Sequence, residues 1–162
     1  MPGKRKQTKN TEPLELPLLA RRDSVVFPRL VSQILVMRPQ SQRAIEEALG
    51  GDRRIVIVAR RNSRQREFGT KDLYSMGTLA TVGRLLKLPD GSATVWLQGE
   101  ERVRLLEVLQ TDPFFTTKVE PVEEVAVRTL QVQALMRAVL ALFEKAVDLS
   151  PNLSDDMYIA AM

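Results

Sequence analysis

Apolar and polar positions along this chain change rhythm several times, and each change marks an element. Leu14, Leu16 and Leu18 alternate along one extended segment, and Val25, Val26 and Phe27 begin a second beyond the charged hinge Arg21-Arg22-Asp23. Pro28 bars helix there and biases Phe27 toward extended backbone. LVSQILVM at 30–37 reads as a strand that stops before Arg38-Pro39. A helix follows, with Ser41 as its cap, Ala44, Ile45, Ala48 and Leu49 on one face, and Gly50-Gly51 as its stop. IVIVA at 55–59 is short, continuous and β-branched, which predicts a strand buried on both faces.

The polar run RRNSRQREFGTK at 60–71 predicts a surface loop. Residues 76–88, 93–98 and 102–110 alternate as successive strands. The first two are joined at Pro89-Asp90-Gly91, where proline fixes φ and glycine accepts a positive one. Gly99-Glu100-Glu101 reads as the next turn, and 114–122, closed by Pro121, as the last long strand. From 125 to 147 the period becomes helical, through Leu130, Ala134, Leu135, Ala138, Leu142 and Phe143. Ser150-Pro151-Asn152 breaks that helix. Ser154, with Asp155 and Asp156 behind it, opens another that is cut short at Met162.

This pattern divides the chain into a basic, disordered tail at 1–13, a β-domain at 14–124 and the start of a helical subdomain at 125–162. The fold class is α+β. The net charge of +4 belongs to the tail, because Lys4, Arg5, Lys6 and Lys9 account for the whole excess. The body is therefore neutral, and a basic leader is either a solvated tail or a weak nucleic-acid contact. No apolar run reaches bilayer length, and the basic start has no apolar core behind it, so neither a membrane span nor a secretory signal is expected. The expected location is cytoplasmic.

Candidate chemistry narrows by subtraction. The chain has no histidine and no cysteine, which removes Ser-His and Cys-His pairs, thiolate sites and imidazole ligands. No Gly-rich phosphate cradle is present. The acidic pairs Glu46-Glu47, Glu100-Glu101, Glu123-Glu124 and Asp155-Asp156 are sequence neighbours, whose side chains diverge on a strand or a helix. The chain as given is expected to be no enzyme, with no catalytic residue, cofactor or metal.

Two surface features remain. Arg60, Arg61, Arg64 and Arg66, near Arg53 and Arg54, either contact a polyanion or form a solvated loop. Aromatics for base stacking are nearly absent there, with Phe68 alone nearby. Leu73, Tyr74 and Met76, together with Phe114 and Phe115, either fill a core or make an adaptable grip for unfolded polypeptide.

Several motifs occur in a familiar order: Leu16-Pro17, Arg22-Asp23, VVFP at 25–28, DLY at 72–74, GTLA at 77–80, KLPDG at 87–91, then Gly99 and Arg102. In this order and spacing, covering roughly 14–124, the chain resembles the amino-terminal domain of the Lon family of ATP-dependent proteases. One departure is Ala20-Arg21, where the family usually has Pro-Leu, so a rigid proline gives way to a charge. The resemblance implies a compact curved β-domain, a pseudo-barrel of about six strands with one intervening helix, followed by a C-terminal helical segment. It further implies a non-catalytic module that captures unfolded or degron-bearing proteins and assists assembly of a homohexamer. ATP and magnesium would then belong only to a downstream domain. The alternatives are a stand-alone Lon-domain adaptor without an ATPase and a nucleic-acid-binding module.

Overall fold

A computed structural model describes residues 12–22, 24–62, 64, 67–123 and 129–152. Residues 1–11 of the basic tail, Asp23, Arg66, residues 124–128 and the segment opened by Ser154 lie outside the described residues. The chain forms two compact units, Met1–Glu123 and Glu124–Met162.

The first unit contains strands β1 (Leu14–Arg21), β2 (Val31–Val36), β3 (Arg54–Arg60), β4 (Leu73–Lys87), β5 (Ala93–Gln110) and β6 (Phe115–Pro121), with helix α1 (Pro39–Gly50) between β2 and β3. The sheet runs β2-β5-β4-β3-β1-β6, and β5 also pairs with β6. Five strands, β5-β4-β3-β1-β6, thus close on themselves, and β2 joins β5 outside that ring. The β1–β3 pairing is parallel and the others are antiparallel. This is the curved six-stranded body with one intervening helix that the sequence implied, as an open-sided ring rather than a strict barrel.

β3 shows why the sheet can pack on both sides. Ile55, Val56, Ile57 and Val58 are all buried. Ile55 and Ile57 join a cluster with Ala44, Ile45 and Ala48 of α1 and with Ile34 and Val36 of β2. Val56 and Val58 face the other way, among Leu16, Leu18, Leu79, Val103, Phe115 and Val119. Apart from the half-buried Phe68, this second cluster draws only on the five ring strands and fills the ring. Burying each such aliphatic side chain contributes about 1.5–3 kcal/mol, so β3 anchors two cores at once.

Length and curvature meet in β5. Its first half pairs with β2 (Val31↔Gln98 to Val36↔Ala93), its second half with β6 (Val103↔Pro121 to Gln110↔Thr116). The expected turn at Gly99-Glu100-Glu101 is not formed, and β5 runs unbroken from 93 to 110. Leu79 pairs with Glu101 and Ala80 with Gly99, so Glu100 is an extra residue in the ladder. A bulge of this kind bends a strand without ending it. The Pro89-Asp90-Gly91 hairpin does form: Gly91 takes φ 84°, and Asp90 Oδ1 accepts from the Ser92 amide (3.0 Å) and hydroxyl (2.6 Å).

Two other boundaries differ from expectation. α1 starts at Pro39, with Arg38 as its extended cap and no side-chain cap bond, so Ser41 lies inside the first turn. Proline is suited to the first helical position because no intrahelical N–H is needed there, and it holds the residue before it out of the helix. β4 starts at Leu73 rather than 76, directly after a short 3₁₀ turn at Thr70–Asp72. In the second unit, α2 (Leu130–Leu149) is capped by Thr129, whose hydroxyl accepts from the Val132 amide at 3.2 Å. Among the described residues no helix is long and apolar enough to cross a membrane.

Candidate functional site

The connection from β1 to β2 builds an apolar depression in the first unit. Residues 24–27 belong to no strand but alternate in burial, and the buried Thr78 hydroxyl donates to the Val26 carbonyl at 2.6 Å. Val26 points inward and is 3% exposed, whereas Val25 and Phe27 are 58% and 59% exposed. Such alternation follows from fixing the middle residue inward, which turns both neighbours outward.

Beyond Phe27 the chain turns through Arg29, at φ 66°. It bonds to β5 at one point, with the Arg29 amide donating to Gly99 O (2.8 Å) and the Gly99 amide to Leu30 O (2.9 Å). A Cβ on Gly99 would stand 2.1 Å from the Phe27 carbonyl oxygen, so only glycine permits this approach.

The result is a groove of about 410 Å³. Val25, Phe27 and Pro28 form one wall, Tyr74 and Met76 another, Ile57, Ala59 and Gly77 the floor, and Arg102 a charged rim. The Arg61 guanidinium lies 4.8 Å from the Tyr74 ring centre, and its Nε donates to Leu73 O at 3.2 Å, which steadies that wall. Asp52 and Asp90 have carboxyl groups held below their ordinary range, but neither lines the groove. For Asp52, burial works upward and is outweighed by hydrogen bonds and charge from Arg54; for Asp90, the Ser92 hydroxyl and amide pull downward. Among the described residues no group of three or more Asp, Glu, His or Cys is assembled to hold a metal.

The structure separates the residues singled out from sequence. Tyr74 and Met76 line the groove, whereas Leu73 and Phe115 are only 5% and 6% exposed and belong to the ring interior. Phe114 packs, half-buried, on the opposite cluster. The structure therefore brings Tyr74 and Met76 together and sets Leu73, Phe114 and Phe115 apart from them. The ring closure covers Leu73 and Phe115, and the cluster beside α1 holds Phe114. Sequence reasoning missed Val25 and Phe27 as surface residues, although the run Val25-Val26-Phe27 before a proline held the signal.

The arginines divide likewise. Arg60 is 6% exposed, with its guanidinium 4.6 Å from the Phe68 ring centre, and Arg38 lies 5.2 Å from the same ring. Arg61 is on the Tyr74 side, and Arg64 is exposed, its amide bonded to Asn62 Oδ1 at 3.0 Å. Arg66 lies outside the described residues. Arg21, where a charge replaces the family's usual residue, donates from Nε to Ser24 Oγ (3.0 Å) and from a terminal nitrogen to Leu35 O (3.1 Å).

A ring-shaped β-domain with a solvent-facing apolar groove defines the class of a binding module. Residues 15–162 match the family model described as the ATP-dependent protease La (LON) substrate-binding domain, and the chain belongs to that family. It is 42% identical to Lon protease 2 of Herpetosiphon aurantiacus over 92% of its own length and 18% of the relative's. The chain therefore spans less than a fifth of that relative. Two solved structures share the fold. The N-terminal domain of Mycobacterium avium complex Lon protease aligns with a TM-score of 0.60 and 21% identity, covering 82% of this chain and 69% of that one. The Lon N-terminal domain protein from Xanthomonas campestris aligns with a TM-score of 0.58 and 17% identity, covering 91% and 88%.

Proposed function

We propose that this chain is the substrate-gripping module of a Lon-type ATP-dependent serine protease. In this reading it captures unfolded or degron-bearing polypeptide and assists assembly of a homohexamer, while nucleotide turnover and peptide cleavage belong to other segments of the protease. The observation that carries the reading is the groove itself, with four large apolar side chains held in solvent around 410 Å³ by a backbone that leaves them no inward alternative. Methionine and aromatic side chains adapt to many sequences, which suits a client defined by exposed apolar segments rather than by one motif. A shallow site gives weak binding, and several copies in a ring raise the effective affinity by avidity.

The test is an NMR titration of the chain with a permanently unfolded protein. Amide and methyl shifts should cluster on Val25, Phe27, Tyr74, Met76 and their neighbours. Shifts scattered over the surface, or none at saturating client, would defeat the reading.

A further inference from the structure

The β4–β5 ladder ends before either strand does. Its last pair is Met76↔Arg104; beyond it Leu73 pairs with Arg60 of β3, while β5 continues to Gln110 against β6. Where the two strands part, a depression of about 310 Å³ opens, with Tyr74 and Ser75 on one side and Leu105, Leu106 and Val108 on the other. A bulge presents Leu106 there. Leu105 pairs with Val119 and Glu107 with Lys118, so Leu106 is the extra residue on β5. Bulges re-aim side chains, and Leu106 is 46% exposed while Leu105 and Val108 pack on the ring interior.

Tyr74 lines both this depression and the apolar groove. Its ring is held by the Arg61 guanidinium at 4.8 Å, so the shared wall is fixed. Along β5, Arg102 edges the groove and Leu106 the second depression, an interval of about 13 Å at strand rise. Between them Arg104 lies exposed opposite Met76, its charge met by Glu120 at 3.4 Å.

We propose that this depression is a second subsite for the polypeptide client of the groove: one apolar side chain enters the groove, and another, four residues along, packs between Tyr74 and Leu106. The inference rests on the groove being a polypeptide site. The occupant is the same extended chain, because the two depressions follow one another along a single strand pair and share one ring. Residues i and i+4 of an extended chain lie on one face about 13 Å apart, which matches the interval; adjacent residues point to opposite faces. Once the first side chain is seated, the second contact forms without a further loss of translational freedom.

The experiment measures fluorescence anisotropy of two short labelled peptides on the full 162-residue chain. Both carry two phenylalanines in the same polar background, at i and i+4 in one and at adjacent positions in its twin. Equal composition removes any difference in bulk hydrophobicity. The spaced peptide should bind roughly threefold or more tightly than its twin. Leu106→Ser should abolish that advantage and leave the twin's affinity unchanged, with thermal melting as the check on folding. Phe27→Ser should weaken both peptides.

A measurement on the wild-type chain keeps the test independent of that variant: a nitroxide beside the second phenylalanine of the spaced peptide should broaden the Leu106 methyl signals in NMR. Equal binding of the two peptides overturns the inference and leaves the groove reading intact. A preference that survives in Leu106→Ser, or Leu106 signals that stay sharp, does the same. Binding of neither peptide, or binding that Phe27→Ser does not weaken, overturns the groove reading and this inference together.

Discussion

Gly99→Ala is the substitution that most directly tests how this fold builds its groove. The new methyl carbon would sit 2.1 Å from the Phe27 carbonyl oxygen, 3.0 Å from the Phe27 carbonyl carbon and 3.3 Å from Pro28 Cα. All three are backbone atoms, so no side chain can swing aside. Restoring ordinary contact requires the 27–30 turn to move by more than about 1 Å from β5. That movement breaks the pair of bonds between Gly99 and residues 29 and 30. Two backbone hydrogen bonds contribute about 1 kcal/mol each, and forced displacement in a packed region adds about 1–3 kcal/mol. The expected loss is therefore about 3–5 kcal/mol, a large share of the about 5–15 kcal/mol that stabilises a typical domain.

Equilibrium urea unfolding, followed by far-ultraviolet circular dichroism and by the single Trp96, measures it. The midpoint should fall with little change in slope. Gly50→Ala is the control, because nothing lies within 4 Å of its would-be Cβ, and helix propensity should leave it neutral or more stable by up to about 1 kcal/mol. A loss under about 0.5 kcal/mol for Gly99→Ala, no larger than an ordinary surface change, would refute the close approach and with it the account of how Val25 and Phe27 are held out.

Thr78→Val removes the hydroxyl that donates to the buried Val26 carbonyl; stability should drop by about 1–3 kcal/mol in urea unfolding, and client binding should weaken as the wall loosens. Phe27→Ser combined with Met76→Ser should reduce affinity for an unfolded client roughly tenfold, as for truncation of central apolar anchors, with a modest fall in the urea midpoint, because Phe27 is 59% and Met76 37% exposed. Asp90→Ala removes the acceptor that closes the β4–β5 hairpin. Because the folded carboxyl titrates below its ordinary value of 3.8, its contribution is complete above that value and disappears as the pH falls through the lower folded one. The melting-temperature gap between wild type and Asp90→Ala should thus be constant from about pH 5 to 8 and close under stronger acid.

The legible parts of the sequence were those whose burial is decided locally. β3 declared itself because a strand covered on both faces carries no polar alternation, and Ile55 to Val58 are apolar without a break. The β4–β5 hairpin did so because Pro89, Asp90 and Gly91 each suit a specific turn position. Illegible were features set by pairing across long stretches of chain. Leu73 and Tyr74 are adjacent and both bulky, yet only the β4–β5–β6–β1 closure decides that Leu73 faces the ring interior and Tyr74 the solvent. Gly99 looked like a turn because glycine serves turns, but here its missing Cβ admits another backbone. Arg60 and Arg61 read as one basic patch, although a strand end sends neighbours apart, one to Phe68 and the other to Tyr74.

The groove also explains why large apolar side chains can stay in solvent without undermining the fold. Val26 supplies the inward contact that ties the connection to the core, and the Thr78 and Gly99 bonds settle its path. Val25 and Phe27 then face out as a geometric consequence, not as a failure of packing. Their backbone is already ordered, so a client arriving there need not also order the receptor chain, and only side-chain freedom is lost on binding. A loop bearing the same residues without those anchors could collapse its apolar groups onto the sheet and hide them. The rigidity of residues 24–28 and the availability of their side chains are therefore one property, set by a hydroxyl at 78 and the absence of a methyl group at 99.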